Sequence, residues 1–177
     1  GKVTDQAIDM DVSLMDIDMD HMLPNRGIVG KVNMTGHAGG TMDRPTFDGV
    51  LSSREIAVGG TSLYMISTGI HYVDRLVSLD EGSFRQQNGQ FTWKGSYHTE
   101  SGVVRGVLQF DGWNIKEALK LFKLPSSAVD GTVKGGMRIG GTLEAPNVDF
   151  KADLQGGHLG NTPLGEGHLD FSYMNGA

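Results

Sequence analysis

The string Gly40-Thr41-Met42-Asp43-Arg44-Pro45 returns 101 residues later as Gly141-Thr142-Leu143-Glu144-Ala145-Pro146. At the same offset Gly30 meets Gly131, Val32 meets Val133, Gly39 meets Gly140 and Asp48 meets Asp149. Gly59, Thr61, Leu63 and Tyr72 likewise meet Gly160, Thr162, Leu164 and Tyr173. A chain that reuses one hairpin unit at a fixed period grows an extended sheet rather than closing around a single pocket. The expected organisation is one continuous segment over 1–177, with repeat-like units at ~8–72 and ~110–174 joined by a hairpin at 82–98.

Glycine supplies 27 of 177 residues, roughly double its ordinary share, and only five prolines accompany it. Glycine spread between alternating segments means turns, bulges and bends, which is the signature of a β-protein. The formal charge of −6, without a polybasic run, argues against nucleic acid and against anionic headgroups as partners. Cysteine is absent, so disulfides and thiolate metal sites are excluded. No apolar run approaches the ~18 residues that span a bilayer. The chain begins Gly1-Lys2, which reads as an excised fragment whose parent could carry an anchor elsewhere.

Alternation begins at once. Ile8, Met10, Val12 and Leu14 fall on one face, and Asp9, Asp11 and Ser13 on the other. The phase then slips at Leu14-Met15, and Ile17 and Met19 continue on the opposite parity, so a bulge or break is expected there. Asn88-Gly89 suits a two-residue hairpin turn that pairs Gln87 with Gln90 and Phe84 with Trp93, leaving Phe84, Phe91 and Trp93 on one face. Val103, Val104, Val107, Leu108 and Phe110 form the next strand.

One short helix is expected near 114–124. Asn114 is its cap, Glu117 completes a capping box, Trp113 staples against Ala118, and Ile115, Ala118, Leu119 and Phe122 form the apolar stripe before Pro125. Strands resume with Val133, Met137 and Ile139. Val148, Phe150, Ala152 and Leu154 then alternate with polar residues, as do Leu169, Phe171 and Tyr173.

Motifs for chemistry are sparse. Asp9-x-Asp11-x-Ser13 with Asp20 opens like a calcium loop, but Leu14 stands where that loop needs glycine, so a solvated strand face is expected. The six histidines never fall at i,i+2 or i,i+4 from one another, and exposed or turn positions explain them. Gly135-Gly136-Met137-Arg138-Ile139-Gly140-Gly141 matches no phosphate or dinucleotide loop, and there is no Gly-x-Ser-x-Gly elbow. A glycosidase-like carboxylate pair is the remaining enzymatic option, and nothing singles out one pair among 21 acids. The reading is non-enzymatic, with no cofactor and no metal. Nine methionines, concentrated early, suit either core filling or an adaptable binding surface.

Phe110-Asp111-Gly112-Trp113-Asn114-Ile115, the helix with Leu119 and Leu121, Val129 to Gly135, and Ile139 to Val148 together resemble the AsmA/TamB-like family. The first copy is looser, with Met15 to Pro24 in place of the helical lead-in and Met42-Asp43-Arg44-Pro45 in place of Leu143-Glu144-Ala145-Pro146. The resemblance implies an all-β, extended, curled antiparallel sheet, a trough or β-taco with a hydrophobic interior. It further implies a periplasmic location in a two-membraned bacterium, with the parent anchored in the inner membrane. Its implied partners are lipid acyl chains or unfolded outer-membrane β-strands, and an outer-membrane barrel of the Omp85 class linked to autotransporter assembly.

On that reading the groove is lined by Val133, Met137, Ile139, Val148, Phe150, Ala152, Leu154, Leu169, Phe171 and Tyr173. Each acyl methylene removed from water contributes about 0.8 kcal/mol, so binding needs no polar catalytic group. The alternative is a structural or adhesive β-repeat whose same residues form a closed core. Unpaired edge strands also predict edge-to-edge self-association of the fragment.

Overall fold

The chain forms one antiparallel sheet of ten strands that follow one another in sequence order, as a computed structural model describes for residues 7–22, 24, 27–117 and 129–174. The strands are β1 (Ala7–Asp18), β2 (Ile28–Thr41), β3 (Pro45–Val58), β4 (Thr61–Val73), β5 (Leu76–Gln86), β6 (Gly89–His98), β7 (Val104–Asn114), β8 (Val129–Gly141), β9 (Pro146–Leu159) and β10 (Thr162–Met174). A short helix, α1 (Met19–Met22), follows β1. The sheet does not close: β1 and β10 are its two edges. The chain is thus all-β, as glycine content and alternation led one to expect, and forms the extended antiparallel sheet expected from the repeat and implied by the resemblance.

The 101-residue period reappears in the strand limits. β3 runs 45–58 and β9 runs 146–159; β4 runs 61–73 and β10 runs 162–174. Backbone detail repeats as well. Gly30 and Gly131 have φ of 140° and 133°, and Gly40 and Gly141 have 87° and 88°. The turn after each Gly-Thr is closed in the same way. Thr41 N donates to Arg44 O at 3.1 Å and Thr142 N to Ala145 O at 3.2 Å, while the threonine hydroxyls accept from Arg44 N at 3.2 Å and Ala145 N at 3.1 Å. Threonine is needed because its hydroxyl caps a turn that its own backbone begins.

Within the two expected units the likeness also holds ahead of Gly30 and Gly131, at a different offset. β1 pairs with β2 through Leu14↔Met34 and Ile17↔Val32 across a bulge, and β7 pairs with β8 through Phe110↔Gly135 and Trp113↔Val133 across a bulge. Asp18 then accepts from Asp20 N at 3.1 Å, as Asn114 accepts from Lys116 N at 2.9 Å. Each side chain caps a helical turn by holding an N–H that the helix leaves unpaired. The Met15–Pro24 stretch thus does not replace the helical lead-in, because α1 is that lead-in. It went unseen because Leu14 aligns with Phe110 rather than with residue 115, so the fixed offset fails across the connection. The second helix begins at Ile115, and the rest of the stretch expected over 114–124, with Ala118, Leu119 and Phe122, lies outside the described residues.

The slip expected at Leu14-Met15 is a bulge between Leu14 and Ile17, with Asp16 at φ 55°. The β5–β6 turn sits one residue earlier than expected, which moves each cross-strand partner by two residues. Gln86 pairs with Gly89 and Phe84 with Phe91, and Gln87 rather than the Asn-Gly pair takes the positive φ, at 51°. The reason is steric: a Cβ at Gly89 would lie 3.0 Å from the Phe91 ring and 3.1 Å from Gly112 O, so the glycine belongs to the packed strand. Trp93 is consequently opposite Gly82, where a Cβ would fall 2.1 Å from its indole. The missing side chain is the seat of the ring.

The total accessible surface is 11966 Å². A closed globule of 19.0 kDa exposes about 8,400 Å² by the usual size scaling. An open sheet with no second strand layer over its apolar face contributes to that excess.

Candidate functional site

Cross-strand register places the alternating apolar residues of all ten strands on one face. One row runs from edge to edge without a break: Val12, Gly36, Gly49, Ile70, Leu79, Gly95, Gly106, Ile139, Val148 and Tyr173. Four of these are glycines, and a Cβ at Gly36 would sit 2.4 Å from Asp48 O. Backbone this close on the inner side lets the sheet bend towards its apolar face. A neighbouring row carries Trp93, Leu108, Met137, Phe150 and Phe171, and the next carries Phe84, Phe91, Phe110, Gly135, Ala152 and Leu169.

The face is not uniform along the strands. At the end nearest the helices the sheet has curled far enough for its own residues to meet. Val32, Ile56, Ile66, Phe91, Phe110, Trp113, Ile115, Val133, Ala152 and Leu154 are all buried there, with Phe91 and Val133 almost fully so. Thr61, at the start of β4, reaches Glu117 beyond β7 at 3.4 Å, although two strands separate them in the sheet. A flat sheet would hold those positions about 14 Å apart. A small apolar cavity of about 110 Å³ remains between Val58, Leu63, Phe84, Phe91, Leu108 and Trp113.

Ring stacking fixes the floor. Phe84 lies 4.3 Å from Phe91 and nearly parallel, Phe91 and Phe110 each meet Trp113 edge-on at 5.3 and 5.2 Å, and Phe110 stacks on Phe150 at 5.5 Å. Such pairs contribute about 0.5–1.5 kcal/mol each beyond area burial.

Towards the opposite end no apolar residue of the face is fully buried. Phe47, Tyr72, Val77, Tyr97, Ile139 and Val148 are half-buried, and the edge residues Met10 (56%) and Phe171 (57%) are exposed. The ten sequence-nominated residues therefore divide. Val133, Ala152 and Leu154 belong to the packed end. Phe150 is half-buried and packs against that end through Phe110, Met137, Ile139 and Val148 lie half-buried along the open part, and Leu169, Phe171 and Tyr173 line the β10 edge, exposed. All share one face by register.

The nomination omitted the first-unit and middle strands, which contribute Met34, Leu51, Ile70, Leu79, Trp93 and Tyr97 to that face. Their strands carry bulges, at Met65 and Glu81 with φ of 53° and 51°, which scramble simple alternation.

The opposite face is polar and pairs charges across strands. Asp11, His37, Asp48 and His71 lie side by side on β1 to β4. His37 Nδ1 is 3.1 Å from Asp11 and its Nε2 3.4 Å from Asp9; His71 Nδ1 is 2.7 Å from Asp48. In the second unit His168 meets Asp153 at 2.8 Å, Lys151 meets Asp170 at 3.0 Å and Lys134 meets Asp111 at 2.7 Å. The hydrogen bond to Asp11 raises the His37 pKa above the ordinary 6.5. Lys116 and the Gly131 N–H hold Asp130 below the usual carboxylate value, and Asp111 holds Lys134 above the usual amine value.

These charged partners are 14 to 28 residues apart along the chain, so no local motif announced them. Asp9 and Asp11 point from a regular strand, as the strand reading of the calcium-like string required. Among the described residues no group of three or more His, Asp or Glu is arranged to hold a metal ion. No helix of the described residues is long and apolar enough to cross a membrane. No family model, curated protein or solved structure matches this chain.

Proposed function

We propose that this chain is a non-enzymatic segment of a periplasmic bridge of the AsmA/TamB-like kind, whose apolar trough shelters lipid acyl chains on their way to the outer membrane. One observation carries the reading: a row of apolar residues and glycines crosses all ten strands of a sheet that does not close, and its side chains are half-buried, or exposed at Tyr173, with no second layer of strands over them. An uncovered apolar face of this extent is stable in water only with a hydrophobic guest or a partner surface. Acyl chains suit it because they are long, flexible and need no polar recognition, while Met34 and Met137 supply adaptable contacts.

Unfolded outer-membrane strands are the other guest class that the same face suits, since they too present apolar side chains at every second residue. On the same reading the parent is anchored in the inner membrane and hands its cargo to an Omp85-class barrel. A closed-core adhesive repeat fits less well, because such a core needs a second layer over Ile139, Val148 and Tyr97.

The test is photocrosslinking to a phospholipid carrying a diazirine in its acyl chain, in the wild type and in Phe150→Asp and Phe171→Asp variants with unchanged circular dichroism. Loss of the crosslink in the variants supports the trough. Undiminished crosslinking, or none in the wild type, refutes it.

A further inference from the structure

We propose that the charged cleft at the open end of the trough is a headgroup site for a zwitterionic lipid, in which Arg44 and Arg75 hold a phosphodiester while Asp43 and Asp74 hold the amine it carries. The inference rests on the trough reading and adds the class of lipid that the trough selects.

The β2–β3, β4–β5 and β6–β7 turns meet at that end, and a cleft of about 390 Å³ lies between them. Arg44, Arg75 and His98 line it with Asp43, Asp74 and Glu100. Tyr72 lines it too, and Tyr72 also belongs to the apolar face, in the row Phe47, Tyr72, Val77 and Tyr97. A lipid whose chains lie on that row therefore ends its apolar part where the charges begin.

The internal repeat separates what these turns need from what has been added. Arg44 corresponds to Ala145, and the two turns close with the same threonine hydrogen bonds, so the backbone does not call for an arginine. Asp74 and Arg75 form the two-residue β4–β5 turn at φ of 46° and 66°. At the same offset the sequence carries Asn175-Gly176, the pair that such a turn accommodates most easily. Arginine at positive φ brings strain that glycine avoids. The first unit thus places two arginines and an acid where the second has Ala145, Asn175 and Gly176.

The charged groups stand on fixed backbone. Arg44 N donates to Thr41 O at 3.1 Å, and Arg75 O accepts from Thr99 N at 2.8 Å and from Thr99 Oγ1 at 3.1 Å. The Arg75 guanidinium pairs with Glu100, which raises its pKa, and Tyr72 adds to the shift. Arg44 makes no ion pair among the described residues. His98 Nδ1 accepts from Ser101 N at 3.2 Å, which leaves the ring proton on Nε2 as a further donor.

Two arginines and three carboxylates set the preference. A phosphodiester alone satisfies the arginines and leaves the acids opposed to it, whereas a phosphodiester bearing an ammonium group satisfies both signs. That choice agrees with a chain of formal charge −6.

The test uses three diazirine-acyl probes of equal chain length in one detergent: a phosphoethanolamine lipid, a phosphoglycerol lipid and a fatty acid. Arg44→Ala/Asp74→Asn/Arg75→Gly installs the second unit's residues and should melt no lower than the wild type. In the wild type the phosphoethanolamine lipid should crosslink at the lowest concentration. In the variant its half-saturating concentration should rise about five-fold or more, while that of the fatty acid stays unchanged. Inorganic phosphate should not displace it. Equal weakening of all three probes, no weakening of the phosphoethanolamine lipid, or a wild-type preference for the phosphoglycerol lipid overturns the proposal. Displacement by inorganic phosphate makes the cleft an ion site and overturns it as well. Fatty acid captured without any headgroup preference sinks the cleft alone; no capture of fatty acid by the wild type sinks the trough and the cleft with it.

Discussion

The two repeat units share a scaffold and differ in what fills it. Val32 and Val133 occupy the same place and are both buried. Yet Ile17 becomes Trp113, Leu14 becomes Phe110, and the half-buried Tyr72 becomes the exposed Tyr173. The repeated residues are those the backbone demands: a glycine at a bulge, a Gly-Thr before a turn, a small apolar residue where the sheet curls upon itself. The unrepeated ones decide how much of the face is covered. Position within the sheet does the rest, since β4 has a neighbour on each side and β10 has one. Backbone geometry is thus inherited by repetition, whereas burial is set by neighbours.

The largest expected break in this comparison comes from the ring that has no counterpart. Trp113→Ala removes a buried indole from between Phe91 and Phe110 and should cost about 3–5 kcal/mol in urea denaturation. The equivalent Ile17→Ala, at a half-buried site, should cost clearly less. Equal losses would mean that the two helical ends are packed alike.

Next in size are the glycines that the scaffold repeats. A Cβ at Gly40 would lie 2.3 Å from Arg44 O, and one at Gly141 2.4 Å from Ala145 O, both at φ near 88°. Alanine at either should lower stability by about 1–3 kcal/mol, to the same extent in both units. A neutral Gly141→Ala would show that the turn is not built twice. Tyr72→Ala and Tyr173→Ala sharpen the effect of neighbours. Thermal melts should show a cost of about 1 kcal/mol or more at the covered site and within about 0.5 kcal/mol at the exposed edge.

The smallest effect concerns charge. His37 is held above 6.5 by the hydrogen bond to Asp11, with Asp9 beside it and Asp48 opposite. A raised folded-state pKa stabilises fully below pH 6.5, and that contribution is lost as pH rises through the folded value. NMR titration of the His37 ring should therefore give a midpoint above 6.5, and Asp11→Asn should bring it back down.

Much of this sheet was legible because strand alternation is local. β9 and β10 follow Val148–Leu154 and Leu169–Tyr173 as expected. The period exposed the repeat because turns and bulges require particular residues at particular places. What stayed hidden depends on contacts distant in sequence. Gly89 could not be known as a packed strand residue until Phe91 and Gly112 came against it. The first helical turn was masked by a shorter connection, and the division of the trough into a filled and an open end follows from curvature. Curvature comes from several bulges and glycines acting together, and no single segment encodes it.

Cysteine labelling along the trough addresses the open face most directly, because the wild type offers no background thiol. Val32→Cys probes the filled end; Ile139→Cys and Val148→Cys probe the open one. The thiols at 139 and 148 should react quickly with a small maleimide and become protected when a long-chain fatty acid is added, while the thiol at 32 stays slow throughout. Slow labelling at all three without fatty acid would mean that the face is already covered by protein, and the trough would have no room for a guest.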